Sequence, residues 1–208
     1  MVVIVIIGVL AVAAAPSMRL TNYDRHTYND AGAIMQLFRH AHGRALAYSI
    51  PVLVAMSANG ASDRGTFTTY IANNPVTNNT VVSCKSPFAW TPLPSSPVTN
   101  TNLTAVDFVN LNSGAGTVEH DANIETILYY YDGTHAPFTS TPGYMCFTPL
   151  GRSFVTIASS SAAGQFDAMT ANVFPLEAKV QRLSSAGSIN RSVYVLPNGT
   201  ARVFSHLW

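Results

Sequence analysis

The hydrophobic pattern changes period twice along the chain. Met1–Ala15 is apolar without a polar or charged interruption and stops at Pro16. From Ser17 to Tyr48, Leu20, Tyr23, Thr27, Ile34, Phe38, Ala41, Ala45 and Tyr48 recur mostly at spacings of three and four. That spacing is one stripe of an α-helix. Arg19, Asp24, Arg25, Asp30, Arg39 and Arg44 form its wet side. Gly32 and Gly43 each weaken such a helix by about 1 kcal/mol relative to alanine. Pro16 lacks an N–H and crowds the preceding turn, so a kink is expected there, with the helix carrying on beyond it.

From Ile50 the period becomes two. Pro51–Met56, Gly65–Ile71, Thr80–Ser83, Ile124–Tyr131, Tyr144–Phe147, Ser153–Ala158, Asn172–Leu176, Ser192–Leu196 and Thr200–Ser205 read as strands. Asn59-Gly60 and Pro197-Asn198-Gly199 are hairpin signals. Pro87–Thr104 and Ser159–Gly164 are rich in turn-forming and small residues and read as loops. One stripe needs one partner surface. The expected fold is therefore α+β, a long N-terminal helix packed on an antiparallel β body of two sheets. Its segments are 1–15, the apolar half of the helix; 16–48, the amphipathic half; and 49–208, a β-rich globular domain.

The apolar start admits three readings. As a helix, Met1–Ala15 would rise about 22 Å, against a bilayer core about 30 Å thick. It has small-residue cleavage sites at Ala11-Val12-Ala13 and Ala13-Ala14-Ala15 but no basic residue before it, so a secretory signal peptide lacks its charged start. A buried strand of a soluble core is the second reading, since short apolar runs are ambiguous. The third is a membrane helix whose first turns precede Met1.

Composition narrows the partners. Charged residues are 10% of the chain and net charge is +1, so nothing pulls the whole molecule toward nucleic acid or anionic lipid. Residues 61–150 are acidic on balance and both flanks basic, a weak polarity between faces. No G-x-S-x-G, H-E-x-x-H or phosphate-loop motif occurs. His40 and His42 stand two apart on the predicted helix, point to different sides and read as solvated side chains that cannot share a metal. Glu119-His120-Asp121 lacks the dense alternating acids of a calcium loop. Tyr129-Tyr130-Tyr131 reads as alternating strand packing. No enzyme and no cofactor or metal are expected.

The residues Met1–Ser17, MVVIVIIGVLAVAAAPS, resemble the interior of the N-terminal segment of type IV pilins and pseudopilins. In that family a short basic leader, a glycine and FTLIEL precede a stretch of the form MVVIxIIGxLAxxAxPS. The matching positions include Val2, Ile4, Ile7, Gly8, Leu10, Ala11, Ala14 and Pro16. Met1 then falls on an internal methionine, and the expectation is a start placed too far downstream. The leader, the cleavage glycine, the methylated first residue and the family's glutamate lie outside these residues. Restoring six residues would lengthen the apolar span to about 31 Å, enough to cross.

Later segments resemble the GspH/FimT-like branch. Leu37–Met56 is similar to its passage from helix to first strand, Met145–Arg152 to its central turn, and Val193–Val203 to its closing hairpin. The resemblance implies a minor pseudopilin of type II secretion, anchored in the inner membrane with its body in the periplasm and then assembled into a pseudopilus. The alternative it implies is a FimT/FimU-like minor type IV pilin, in pilus assembly or DNA uptake. Implied partners are other pseudopilins or pilins, the inner membrane and, for the full-length product, prepilin peptidase. A soluble periplasmic binding protein with a signal peptide is the third function considered.

In a periplasmic body Cys84 and Cys146 could be bridged, closing a loop worth about 4 kcal/mol; two buried thiols are the other reading, and no C-x-x-C is present. Some FimT-like proteins take up DNA through a G-R-x-R stretch. Gly199-Thr200-Ala201-Arg202 has one of its two arginines, a small electrostatic footprint. DNA is thus not expected among the partners; Arg182, Arg191 and Arg202 would be its contacts if folding gathered them.

Overall fold

The computed structural model describes residues 2–58, 63–72, 76–77, 80–81, 83–84, 103–112, 124–131, 135–138, 143–157, 170–171, 175–182 and 189–207. Within these, the side chains of 2–23, 76–77, 80–81, 131, 135, 156–157, 170–171 and 206–207 lie outside the description. Asn59-Gly60, Glu119–Asp121 and Ser159–Gly164 fall outside the described residues, as does most of Pro87–Thr104.

One helix, α1 (Val2–Tyr48), opens the chain and runs through Pro16 without a break in its assignment. It is followed by β1 (Val52–Ser57), β2 (Thr66–Ala72), β3 (Val76–Thr77), β4 (Thr80–Val81), β5 (Leu103–Asn110), β6 (Ile124–Tyr131) and β7 (His135–Pro137). Then come β8 (Gly143–Phe147), β9 (Ser153–Ile157), β10 (Thr170–Ala171), β11 (Leu176–Arg182), β12 (Ile189–Val195) and β13 (Ala201–Leu207). The first sheet has the order β10-β9-β8-β1-β2-β5 and the second β13-β12-β11-β6-β7, with β3-β4 a separate pair. Their pairings are antiparallel. The architecture is α+β, a helix packed on two antiparallel sheets.

The helix belongs to the core of both sheets. Thr27, Ala31, Ile34, Phe38, Ala41 and Ala45 are buried at alternating spacings of four and three, which keeps them on one face. Ala31, Ile34, Phe38, Ala41 and Ala45 share a core with Val52, Val54, Met56, Phe67, Met145 and Phe147 of the first sheet and Ala178, Val180, Val193 and Val195 of the second. Phe38 sits edge-on to Phe67 at 6.3 Å and to Phe147 at 6.4 Å. Truncating such a residue costs about 3–5 kcal/mol. Tyr48, expected on the stripe, is exposed. The helix stops there, and Ser49 turns the chain with φ 54°.

β1 is a continuous apolar run because both of its faces are covered. Val52, Val54 and Met56 face the helix. Leu53 and Ala55 face a second core with Tyr70, Leu103, Tyr144, Cys146 and Phe154. Burial in that core raises the Tyr144 pKa, with Tyr70 adding to it. Cys84 closes this core from outside through a disulfide to Cys146, with Cα atoms 5.5 Å apart.

The strand predictions need several corrections, among them the short strands β3 and β10, which were not expected. β5 occupies Leu103–Asn110, where no strand was expected, and β7 is a three-residue strand ending in Pro137. β11 begins at Leu176, where the expected Asn172–Leu176 strand ended. Glu177, which is buried, Lys179 and Gln181 alternate with its apolar residues, and Glu and Lys are poor strand formers; pairing to β6 and β12 fixes the strand instead. Thr80–Ser83 shortens to Thr80–Val81.

Asp30 is the other correction. Its spacing puts it on the wet side of the helix, yet it is buried, as is its partner Arg64. Arg64 donates from Nε and Nη2 to Asp30 Oδ2 and Oδ1 at 2.7–3.0 Å. Its backbone is held as well: N donates to Asn112 Oδ1 at 2.9 Å and O accepts from Thr126 Oγ1 at 2.7 Å. Thr126 N donates to Asp63 O and Leu111 N to Gly65 O. Residues 63–65 thus join the helix, the first sheet and the second. Burial pushes the Asp30 pKa up, and the Arg64 guanidinium opposes that without overcoming it.

Removing one member of a buried pair strands the other charge, at about 3–5 kcal/mol. Arg64→Ala should therefore destabilise the full chain by that amount in urea unfolding in mild detergent. Asp30→Leu combined with Arg64→Met should cost clearly less than Arg64→Ala alone. Equal costs would mean the pair itself supplies the stability.

Candidate functional site

Two tight turns, one from each sheet, meet over the helix. Thr148–Arg152 joins β8 to β9, and Leu196–Thr200 joins β12 to β13. In the first, Gly151 N donates to Thr148 O and Thr148 N to Arg152 O; in the second, Gly199 N donates to Leu196 O and Leu196 N to Thr200 O. Both have proline at the first central position and glycine at φ 78°, the pattern of a three-residue hairpin closed by a left-handed residue. Ser153 ties them together: its N and Oγ both donate to Pro197 O, at 3.2 and 3.1 Å.

His42 lies beneath both glycines. A Cβ built on Gly199 would stand 2.5 Å from His42 Cδ2, and one on Gly151 would stand 3.6 Å from Nε2. The ring also packs on Phe147 at 5.6 Å. Read from sequence as solvated, His42 is instead a half-buried wedge. Burial lowers its pKa, and the Gly151 backbone partly opposes the shift. His40 does remain exposed, with Nδ1 3.3 Å from Asp107 Oδ2 on β5.

Beside this joint runs an open groove of about 400 Å³ between α1 and β13. Tyr28, Gly32, Met35 and Arg39 line it from the helix. Arg202, Val203 and Phe204 line it from the strand. Tyr28 and Phe204 are exposed aromatics, 59% and 46% accessible. Neither Tyr28, Met35 nor Phe204 was singled out by sequence. The signal was there in part, because Tyr28, Gly32 and Met35 recur at four and three just beside the buried stripe.

The arginines considered together are not brought to one surface. Arg191 faces the helix: Nη2 donates to Asp24 Oδ1 at 2.8 Å, Nη1 donates to Ser205 Oγ, and the guanidinium lies 5.3 Å from the Tyr28 ring centroid. Arg182 ends β11 on the same side of that sheet. Arg202 pairs with Tyr194 and is exposed on the opposite side. Val2, Ile4, Ile7, Gly8, Leu10, Ala11, Ala14 and Pro16 have helical backbone, and their side chains are outside the description. Among the described residues no helix is long and apolar enough to cross a membrane, a statement that leaves out those side chains. Among the described residues, too, no group of three or more His, Cys, Asp or Glu is placed to hold a metal ion.

Two outcomes follow from the His42 joint. Left-handed backbone alone costs alanine about 1–2 kcal/mol. Gly151→Ala should cost that much in urea unfolding, and Gly199→Ala clearly more, with His42→Ala narrowing the gap. A histidine with a lowered folded pKa supports the fold above about pH 6.5 and loses that support as pH falls through the folded value. Stability should therefore drop more steeply between pH 7 and pH 5 in the wild type than in His42→Gln.

No family model matches the chain, and no curated protein matches it. Crystal structures of the type IV minor pilin FimU of Pseudomonas aeruginosa (strain PAO1) resemble it in two crystal forms. The form in space group P21 gives a TM-score of 0.43 at 6% identity, over 88% of this chain and 89% of that one. The form in space group P65 gives a TM-score of 0.40 at 6% identity, over 86% and 91%.

Proposed function

We propose that this chain is a structural subunit of the type IV pilin kind, anchored in a membrane by the first half of α1 and assembling through that helix. The observation that carries the reading is the unity of α1. A single helix, Val2–Tyr48, joins the uncharged stretch Val2–Ala15 to a half that forms the core of the β body. At about 1.5 Å per residue it is about 70 Å long. The polar backbone groups of a segment in lipid must satisfy one another's hydrogen bonds, which a helix does. The small residues Gly8, Ala11 and Ala14 permit close helix approach there.

The finer reading is a minor pseudopilin of the GspH/FimT-like branch, in the pseudopilus of type II secretion, with its body in the periplasm. It is supported by the resemblance of Leu37–Met56, Met145–Arg152 and Val193–Val203 to that branch. These segments are neighbours in space: the first contains His42, and the other two contain the turns above it. No catalytic step is needed in this function.

The full chain, produced in a Gram-negative host, should sediment with the inner membrane and resist extraction at high pH. Replacing Val5 and Val9 with lysine should release it. Single cysteines at Ala11 and Ala14 should cross-link to other subunits within the membrane. A full chain found free in the soluble fraction would remove the reading.

A further inference from the structure

We propose that the groove between α1 and β13 docks an extended segment of another protein, which adds a strand to β13. The segment is apolar at alternate positions and carries a carboxylate. The inference does not depend on the filament reading.

Among the described residues the two large sheets end in β10 and β5 and in β13 and β7. β10 has two residues and β7 has three, one of them proline, so neither offers a useful edge. β5 is longer but guarded. Its register steps from Thr69↔Asp107 to Tyr70↔Ala105, leaving Val106 as an extra residue. The N–H of Phe108 is already taken by Asp107 Oδ1 at 3.1 Å. Bulges and charged side chains are how proteins close an edge.

β13 is long and ends its sheet, and among the described residues the side chain that meets its outer backbone does so at its start. Leu196 N donates to Thr200 O across the hairpin. The alternation of an antiparallel ladder then turns the backbone groups of Ala201, Val203 and Ser205 away from β12. Arg39 Nε meets the first of these, donating to Ala201 O at 3.1 Å. Val203 and Ser205 come next along the edge, and Val203 lines the groove.

Gly32 is the second observation. Glycine is unfavourable inside a helix, and here it is not needed for packing: a Cβ at Gly32 would meet nothing within 4 Å. Its effect is to leave the groove open between Tyr28 and Met35. The charged residues lining the groove, Arg39 and Arg202, are both cations. The complementary occupant is therefore an apolar strand with an acidic residue, held by main-chain hydrogen bonds and by alternate side chains in the groove.

The test uses the full chain in detergent micelles. The probe is a fluorescent octapeptide alternating valine and threonine with one glutamate, read by anisotropy. Saturable binding in the micromolar range is expected. Gly32→Leu should weaken it at least tenfold while its urea midpoint stays at or above the wild type. N-methylation of the peptide along one edge should do the same, and Arg202→Glu should shift preference to a peptide with lysine in place of glutamate. No saturable binding, undiminished binding to Gly32→Leu, or equal binding of the N-methylated peptide would overturn the proposal. So would self-association of the wild type that Gly32→Leu abolishes, because the occupant would then be a second copy of this chain.

Discussion

A helix lying across two sheets has a problem that apolar contact alone does not solve. The stripe from Thr27 to Ala45 repeats every three or four residues, so a shift by one turn still presents alanines and large apolar side chains to the sheets. The contact between Asp30 and Arg64 has no such degeneracy. A guanidinium meets a carboxylate in a fixed planar fork, and this fork is buried with its backbone held by Asn112 and Thr126. A helix displaced by one turn would bury both charges apart. The raised Asp30 pKa says that the carboxylate's burial is not repaid in full by its partner. In this chain we read the pair as fixing the position of the helix, with apolar burial supplying most of the stability.

The second fixed point lies twelve residues on. His42 is about 18 Å from Asp30 along the helix axis. It wedges under the turn of each sheet, where both glycines leave room for it. The two sheets are thus held at both ends of the packed half of α1: at residues 63–65 by the first joint, and at Ser153 and Pro197 by the second. A rod fixed at two separated points has a defined direction relative to what it is fixed to. Whatever holds the first half of α1 would therefore set the orientation of the β body as well.

Much of this architecture was legible in the sequence. The change from period 3.6 to period two marked the end of α1, and Pro51–Met56, Ile124–Tyr131 and the Pro197-Asn198-Gly199 turn are all local signals. What failed was long-range. Asp30 is polar by any periodicity count, and only a residue 34 positions away makes it a core residue. His42 looked solvated because the glycines that cover it lie more than a hundred residues downstream. β5 and β11 carry weak alternation and are strands because neighbours pair with them. The groove was half visible: its helical side repeats in sequence, whereas β13 reaches it only after the second sheet has formed.

The same long-range pairing takes up the acids of the described residues. Among the described residues, each acid accepts a side-chain or backbone hydrogen bond. Asp24 is met by Arg191 and Asp30 by Arg64; Asp63 by Asn112, Asp107 by His40 and Arg44, Glu125 by Gln181, and Glu177 by Ser192. The carboxylates described are thus engaged in holding elements together. Long-range steering by net charge, at +1, is correspondingly weak. Selection of a partner by such a surface has to rest on short-range terms. Those are backbone groups at an open strand edge, exposed rings such as Tyr28 and Phe204, and exposed cations such as Arg202.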